Sequence, residues 1–128
     1  MALLLDTHAY LWWLSEDPKL SARAAAAISI GEETVFVSAA SVWEIATKHR
    51  LGKLPLPDAL RGDMEEALTI DGFLGLPVNL AHAQRAGALP GPHADPFDRM
   101  LLAQAMVEDL TLISNEQPFD LYGVRRLW

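Results

Sequence analysis

Short apolar runs interrupt this chain at intervals filled by helical patterns, and that alternation constrains the fold more than any other feature. Residues 2–5 (ALLL), 34–37 (TVFV), 74–78 and 111–114 (TLIS) are four such runs, and 123–127 is a fifth. They read as strands buried on both faces, and strands alternating with helices predict βαβ units around a parallel sheet. Between them the spacing predicts helices over 7–15, 22–30 (capped by Ser21), 58–70 and 79–87. Ser41 precedes VWEIATKHRL, whose Val42, Ile45, Ala46 and His49 share one face, and Gly52 is placed to stop that helix. Pro96 suits the first turn of a helix over 96–108, because the missing N–H has no partner there. Residues 88–94 (ALPGPHA) form a loop, and no repeat or linker divides the chain. The expectation is one α/β domain spanning residues 1–128.

Composition narrows the function. With 51% hydrophobic residues the chain carries enough apolar surface to fold, which excludes intrinsic disorder. A net charge of −7 excludes a basic nucleic-acid coat protein, since sequence-independent phosphate binding needs clustered cations. The absence of cysteine removes disulfides, thiolate zinc sites and a Cys nucleophile. MALLLDTHAYLWWL lacks the basic start and cleavage site of a signal peptide, and no run reaches the roughly 18 apolar residues of a membrane span. A soluble, cytoplasmic protein is expected.

The acids carry the chemistry. Asp6 closes the first run, Glu44 lies in the helix after the second, and Glu116 follows TLIS by two residues. In a parallel sheet all three fall on the carboxyl edge, where open α/β folds bind ligands. Asp98 continues the stripe of Leu101, Leu102 and Ala105, so it points towards the sheet. Any one of them has an ordinary explanation in helix capping, worth about 0.3–1 kcal/mol. Four converging carboxylates repel one another, and a divalent cation removes that cost; an all-oxygen set selects Mg²⁺ or Mn²⁺. His8, His49, His82 and His93 show no zinc-ligand spacing and are expected to be structural or surface residues. Phosphate-loop, dinucleotide and serine-hydrolase motifs are missing. Lys48, Arg50 and Lys53 form a small basic cluster that is either a solvated helix end or a grip for phosphate.

Four segments, taken in order, resemble the PIN-domain proteins and in particular the VapC-type toxins of type II toxin–antitoxin systems. They are LLLDTHAYLWWL (3–14), VSAASVWEIATKHRLGKLPLP (37–57), HADPFDRMLLAQAM (93–106) and LISNEQPFDLYGVRRLW (112–128). The resemblance implies a three-layer α/β/α domain with a parallel sheet and a Mg²⁺- or Mn²⁺-dependent endoribonuclease. It also implies a cognate antitoxin that covers the site. The family acids match Asp6, Glu44 and Asp98, while the fourth falls on Glu116, one methylene longer than the usual Asp. Asp95 is assigned first to capping the Pro96 helix and second to supporting the site. Thr7 and Ser114 are placed to orient ligands or a phosphate, and Lys48, Arg50 and Arg99 to grip RNA, with tRNA among the candidate substrates. A homodimer is expected, with Trp12 on the far side of its helix from the Tyr10, Trp13 and Leu14 stripe and therefore at an interface. A hydrophobic groove is expected to receive an antitoxin helix. Two other readings stay open: a non-catalytic acidic pocket that docks a basic segment, and a metal-dependent phosphohydrolase of small substrates.

Overall fold

The computed structural model describes residues 1–128. Five parallel strands form one sheet in the order β3-β2-β1-β4-β5: β1 Leu3–Leu5, β2 Val35–Ser38, β3 Leu74–Leu76, β4 Thr111–Ile113 and β5 Arg126–Leu127. Leu3, Leu4 and Leu5 pair with Val35, Phe36 and Val37 on one side and with Thr111, Leu112 and Ile113 on the other. The central strand is thus buried along its whole length, as its uninterrupted apolar run requires. Its side chains alternate between two cores. Leu3 and Leu5 join Tyr10, Ala24, Ile28 and Leu68 on one face, while Leu4 joins Leu101, Leu102, Leu112 and Phe119 on the other. Helices on both faces complete the three layers.

The helices are α1 Thr7–Leu14, α2 Ala22–Ser29, α3 Ala39–Arg50, α4 Met64–Ile70, α5 Leu80–Ala88 and α6 Pro96–Glu108. Ser21 caps α2 by accepting from the Ala24 N–H, as expected. Asp95 caps α6 through the N–H groups of Phe97 and Asp98, with Pro96 opening the first turn.

Three expectations need correction. Helix α3 is capped by Ser38 and already includes Ser41, and its inner face differs from the expected one: Ala40, Ser41, Glu44 and Ile45 are buried, whereas Ala46 and His49 are exposed. Polar residues occupy inward positions there, and apolar periodicity alone misplaced the phase. Residues 58–70 are not one helix; a 3₁₀ turn at Asp58–Leu60 ends before Asp63 caps α4. The competing cap at Asp63, just after Gly62, starts the helix afresh. Third, Trp12 is not a free surface residue: its ring packs edge-on against Trp128 at 5.8 Å and beside His8 at 5.5 Å, which leaves it half-buried. No helix is long and apolar enough to cross a membrane.

Candidate active site

From β1 the chain runs outward to β2 and β3, then returns to β4 on the opposite side of β1. Beyond the carboxyl ends of β1 and β4 lies the crevice where the direction of winding switches. Asp6 and Ser114, the residues that follow these two strands, meet there. The Asp6 N–H extends the pairing by donating to the Ile113 carbonyl at 3.0 Å. Its carboxylate caps α1, with Oδ1 accepting from the Ala9 N–H at 2.7 Å. Asp6 is only 3% exposed. Burial pushes its carboxyl up to about 6, against the pull of Ser114, the Ala9 N–H and His8, and neighbouring Asp98 adds to the rise.

Asp98 stands in the first turn of α6 and faces the same crevice. Burial raises its carboxyl above the ordinary range; His93 counters this, while Asp95 and Glu44 reinforce it. His93 Nε2 lies 2.8 Å from Asp98 Oδ2. Glu44 is buried on the inner face of α3. Its Oε1 accepts from the Thr7 hydroxyl at 2.7 Å, and its Oε2 pairs with the Lys48 ammonium one turn on. Thr7 also shares a hydrogen bond with Ser41 at 3.0 Å. The Lys48 ammonium is held protonated above its usual range, chiefly by Glu44.

Glu116 is half-buried, and its N–H donates to Ser114 Oγ at 3.0 Å. Its side chain makes no cap on the 3₁₀ turn Gln117–Tyr122 that it precedes. Asp6, Asp98 and Glu44 therefore share an electrostatic neighbourhood. No three His, Asp or Glu side chains close on a single point. The site offers separated carboxylates rather than a finished cage. Mg²⁺ suits such a site, because it keeps several waters and takes one or two carboxylates together with substrate phosphate.

The basic residues divide. Lys48 reaches the acids, whereas Arg50 is exposed at the carboxyl-terminal end of α3. Arg99, expected to grip RNA, spends its guanidinium on the backbone. Its guanidinium donates to the Ala86 carbonyl at 3.2 Å, the His93 carbonyl at 2.9 Å and the Leu89 carbonyl. These carbonyls lie at the end of α5 and in the loop after it, where helix geometry leaves no partner. Arg99 thus fixes the loop that carries His93. Tyr122 holds the same loop, accepting from the His93 N–H at 3.2 Å. Gly91 has φ +95°, and a Cβ there would lie 2.8 Å from the Tyr122 hydroxyl, so only glycine lets that ring approach.

Two residues were missed by the sequence reading. His93 was expected to be structural or on the surface, yet it is the direct partner of Asp98; its only sequence signal is its position five residues upstream. Trp43, next to Glu44, is 66% exposed and packs edge-to-face on Phe97 at 5.1 Å. His82, by contrast, is structural as expected: it closes a capping box with Asn79 and lies 2.9 Å from Glu108.

The arrangement is that of an α/β domain with acids gathered at the topological switch point of a parallel sheet. Residues 3–124 match the PIN domain family, and the chain belongs to it. Ribonuclease VapC16 of Mycobacterium tuberculosis is 37% identical over 65 residues, a stretch covering 49% of this chain and 46% of that protein. The alignment thus spans about half the length of this curated relative. Among solved structures, VapBC2 of Rickettsia felis, bound to a DNA fragment from its promoter, is similar with a TM-score of 0.73 at 14% identity, over 99% of this chain and 98% of that one. FitAcB of Neisseria gonorrhoeae reaches a TM-score of 0.68 at 19% identity, over 98% and 96% of the two chains. DNA-bound VapBC of Salmonella typhimurium reaches 0.66 at 16% identity, over 99% and 97%.

Proposed function

We propose that this chain is a Mg²⁺- or Mn²⁺-dependent endoribonuclease and the toxin of a type II toxin–antitoxin pair. The observation that carries the reading is the pair at the switch point, Asp6 buried and Asp98 half-buried, each carboxyl raised chiefly by its desolvation. A site that disfavours the charge of its own acids gains most from a cation. The half-length likeness to a protein named a ribonuclease supports RNA as the substrate, with tRNA among the candidates. Two of the similar solved structures are VapBC complexes by name, which supports a cognate antitoxin.

Asp6 and Asp98 would hold the principal ion, with Glu44 and Glu116 completing the site. Bound there, the metal supplies an acidified water and stabilises charge on the phosphoryl oxygens. The protein's own groups prepare that place. Asp6 is held by the α1 cap, Asp98 by His93, and Glu44 by Thr7 and Lys48. Lys48 offsets one negative charge where an anionic strand must approach. Ser114 fixes the Glu116 backbone, and Asp95 fixes the start of α6 beneath Asp98.

The net charge of −7 leaves little non-specific affinity for RNA, so binding depends on the metal and on local contacts. A groove of about 620 Å³ lined by Trp12, Trp13, Leu14, Leu20 and Ile70 is the proposed seat of the antitoxin helix, and a homodimer is the proposed assembly. Light scattering of the chain alone and with its antitoxin, with Trp12→Ala beside wild type, tests both; a monomer, and antitoxin binding unmoved by the variant, would remove them. Incubation with RNA and with a chromogenic phosphate ester separates the ribonuclease from a small-substrate phosphohydrolase. Metal-dependent cleavage of the ester alone would favour the latter.

A further inference from the structure

Trp43 is the most exposed aromatic side chain of the molecule that lies beside an acid of the site. We propose that Trp43, braced by Phe97, is a stacking platform for an unpaired base of an RNA strand lying across that site, an inference that rests on the ribonuclease reading. Trp43 precedes buried Glu44 on α3, and Phe97 precedes Asp98 on α6. The two rings bridge the helices that carry these acids, with centroids 5.1 Å apart and planes at 72°. Edge-to-face packing fixes one indole without covering it, and 66% of Trp43 stays in solvent. Phe97 is half-buried, so the brace is anchored in the fold.

An exposed indole contributes little to the core, and its neighbours identify a ligand that carries both charge and a flat face. Lys48, one turn along α3 from Glu44 and paired with it, keeps 39% of its side chain exposed and adds a cation to the same helix, five residues beyond Trp43. Single-stranded RNA combines phosphates for such cations with bases that stack on aromatic rings, whereas a duplex keeps its bases stacked on one another. Stacking tolerates every base, so the platform sets a requirement for unpaired structure at the cleavage point rather than for one sequence.

The experiment compares wild type, Trp43→Ala and Trp43→Phe on a short single-stranded RNA and on a duplex of the same sequence. Loss of one stacked base corresponds to about five- to 150-fold in affinity. Trp43→Ala is expected to raise KM for the single strand within that range while kcat changes less than about threefold, and Trp43→Phe to recover most of the loss. With a cleavage-resistant RNA analogue in Mg²⁺, indole emission should be quenched in wild type and lose most of that quenching in Trp43→Phe. Wild type that shows this quenching yet cuts no RNA in Mg²⁺ would support the platform and overturn the ribonuclease reading alone. An unchanged KM in Trp43→Ala, an equal loss on single strand and duplex, or a change in the protein's mass that Trp43→Phe fails to reverse would overturn the platform.

Discussion

Replacing Asp6 with Asn should make the metal-free protein more stable while abolishing its chemistry. Asn keeps the side-chain oxygen that caps α1, so the bond to the Ala9 N–H survives. What it removes is a buried negative charge. The folded carboxyl titrates at about 6 against an ordinary 3.8, so the native state binds that proton more tightly than the unfolded chain. Stability therefore falls as pH rises from about 4 to about 6, and the full cost applies above that window. The gap corresponds to about 3 kcal/mol. Relative to wild type, Asp6→Asn should gain about 3 kcal/mol at pH 8 and only about 0.5 kcal/mol at pH 4. With urea slopes of about 1–3 kcal/mol/M, the midpoint at pH 8 should move up by about 1–3 M in EDTA. A variant less stable than wild type at pH 8, or a gain equal at both pH values, would refute the claim that burial without a cation strains this acid.

Four further outcomes follow from the same geometry. Mg²⁺ at 100 times its dissociation constant should stabilise wild type by about 2.7 kcal/mol and leave Asp6→Asn unmoved, read as a difference in urea midpoint. Arg99→Ala removes three bonds to carbonyls at the end of α5 and in the loop that follows, and should cost about 2–3 kcal/mol; Arg99→Lys should fail to restore it, because an ammonium lacks the fork. Faster proteolysis between residues 88 and 95 would accompany both changes. Thr7→Val leaves Glu44 without its hydroxyl donor at unchanged volume, and should cost about 1–3 kcal/mol in thermal or urea unfolding. Gly91→Ala meets both an unfavourable φ and the Tyr122 hydroxyl, and should destabilise by about 1–2 kcal/mol with loss of the His93 contact to Tyr122, seen by hydrogen exchange.

Much of the fold was legible because both-face burial writes apolar runs directly into the sequence. The strands at Leu3–Leu5, Val35–Ser38, Leu74–Leu76 and Thr111–Ile113 coincide with those runs, and the fifth shrinks to Arg126–Leu127. Helix α6 was also legible, from Pro96 and from a stripe that Asp98 extends. The failures share a cause. On α3 the inward positions belong to Ser41 and Glu44, so the residues that build the site break the pattern used to find the helix face. Arg99 has the composition of a phosphate grip, but its partners are backbone carbonyls, and those carry no sequence signature. Trp12 departs from its expected exposure for a similar reason. Trp12 packs against Trp128, more than a hundred residues away, whereas Trp43 packs edge-to-face on Phe97 and stays exposed. Such pairings exist only once the chain has folded.

Asp6 and Asp98 are proposed to hold a divalent cation that enables RNA cleavage. The most direct test of that proposal is the cleavage of RNA by the purified chain in Mg²⁺ or Mn²⁺ and in EDTA, with Asp6→Asn and Asp98→Asn run in parallel. Cleavage by wild type should need the metal and be lost in both variants, although Asp6→Asn remains folded. Robust cleavage in EDTA, or full activity in either variant, would contradict the proposal.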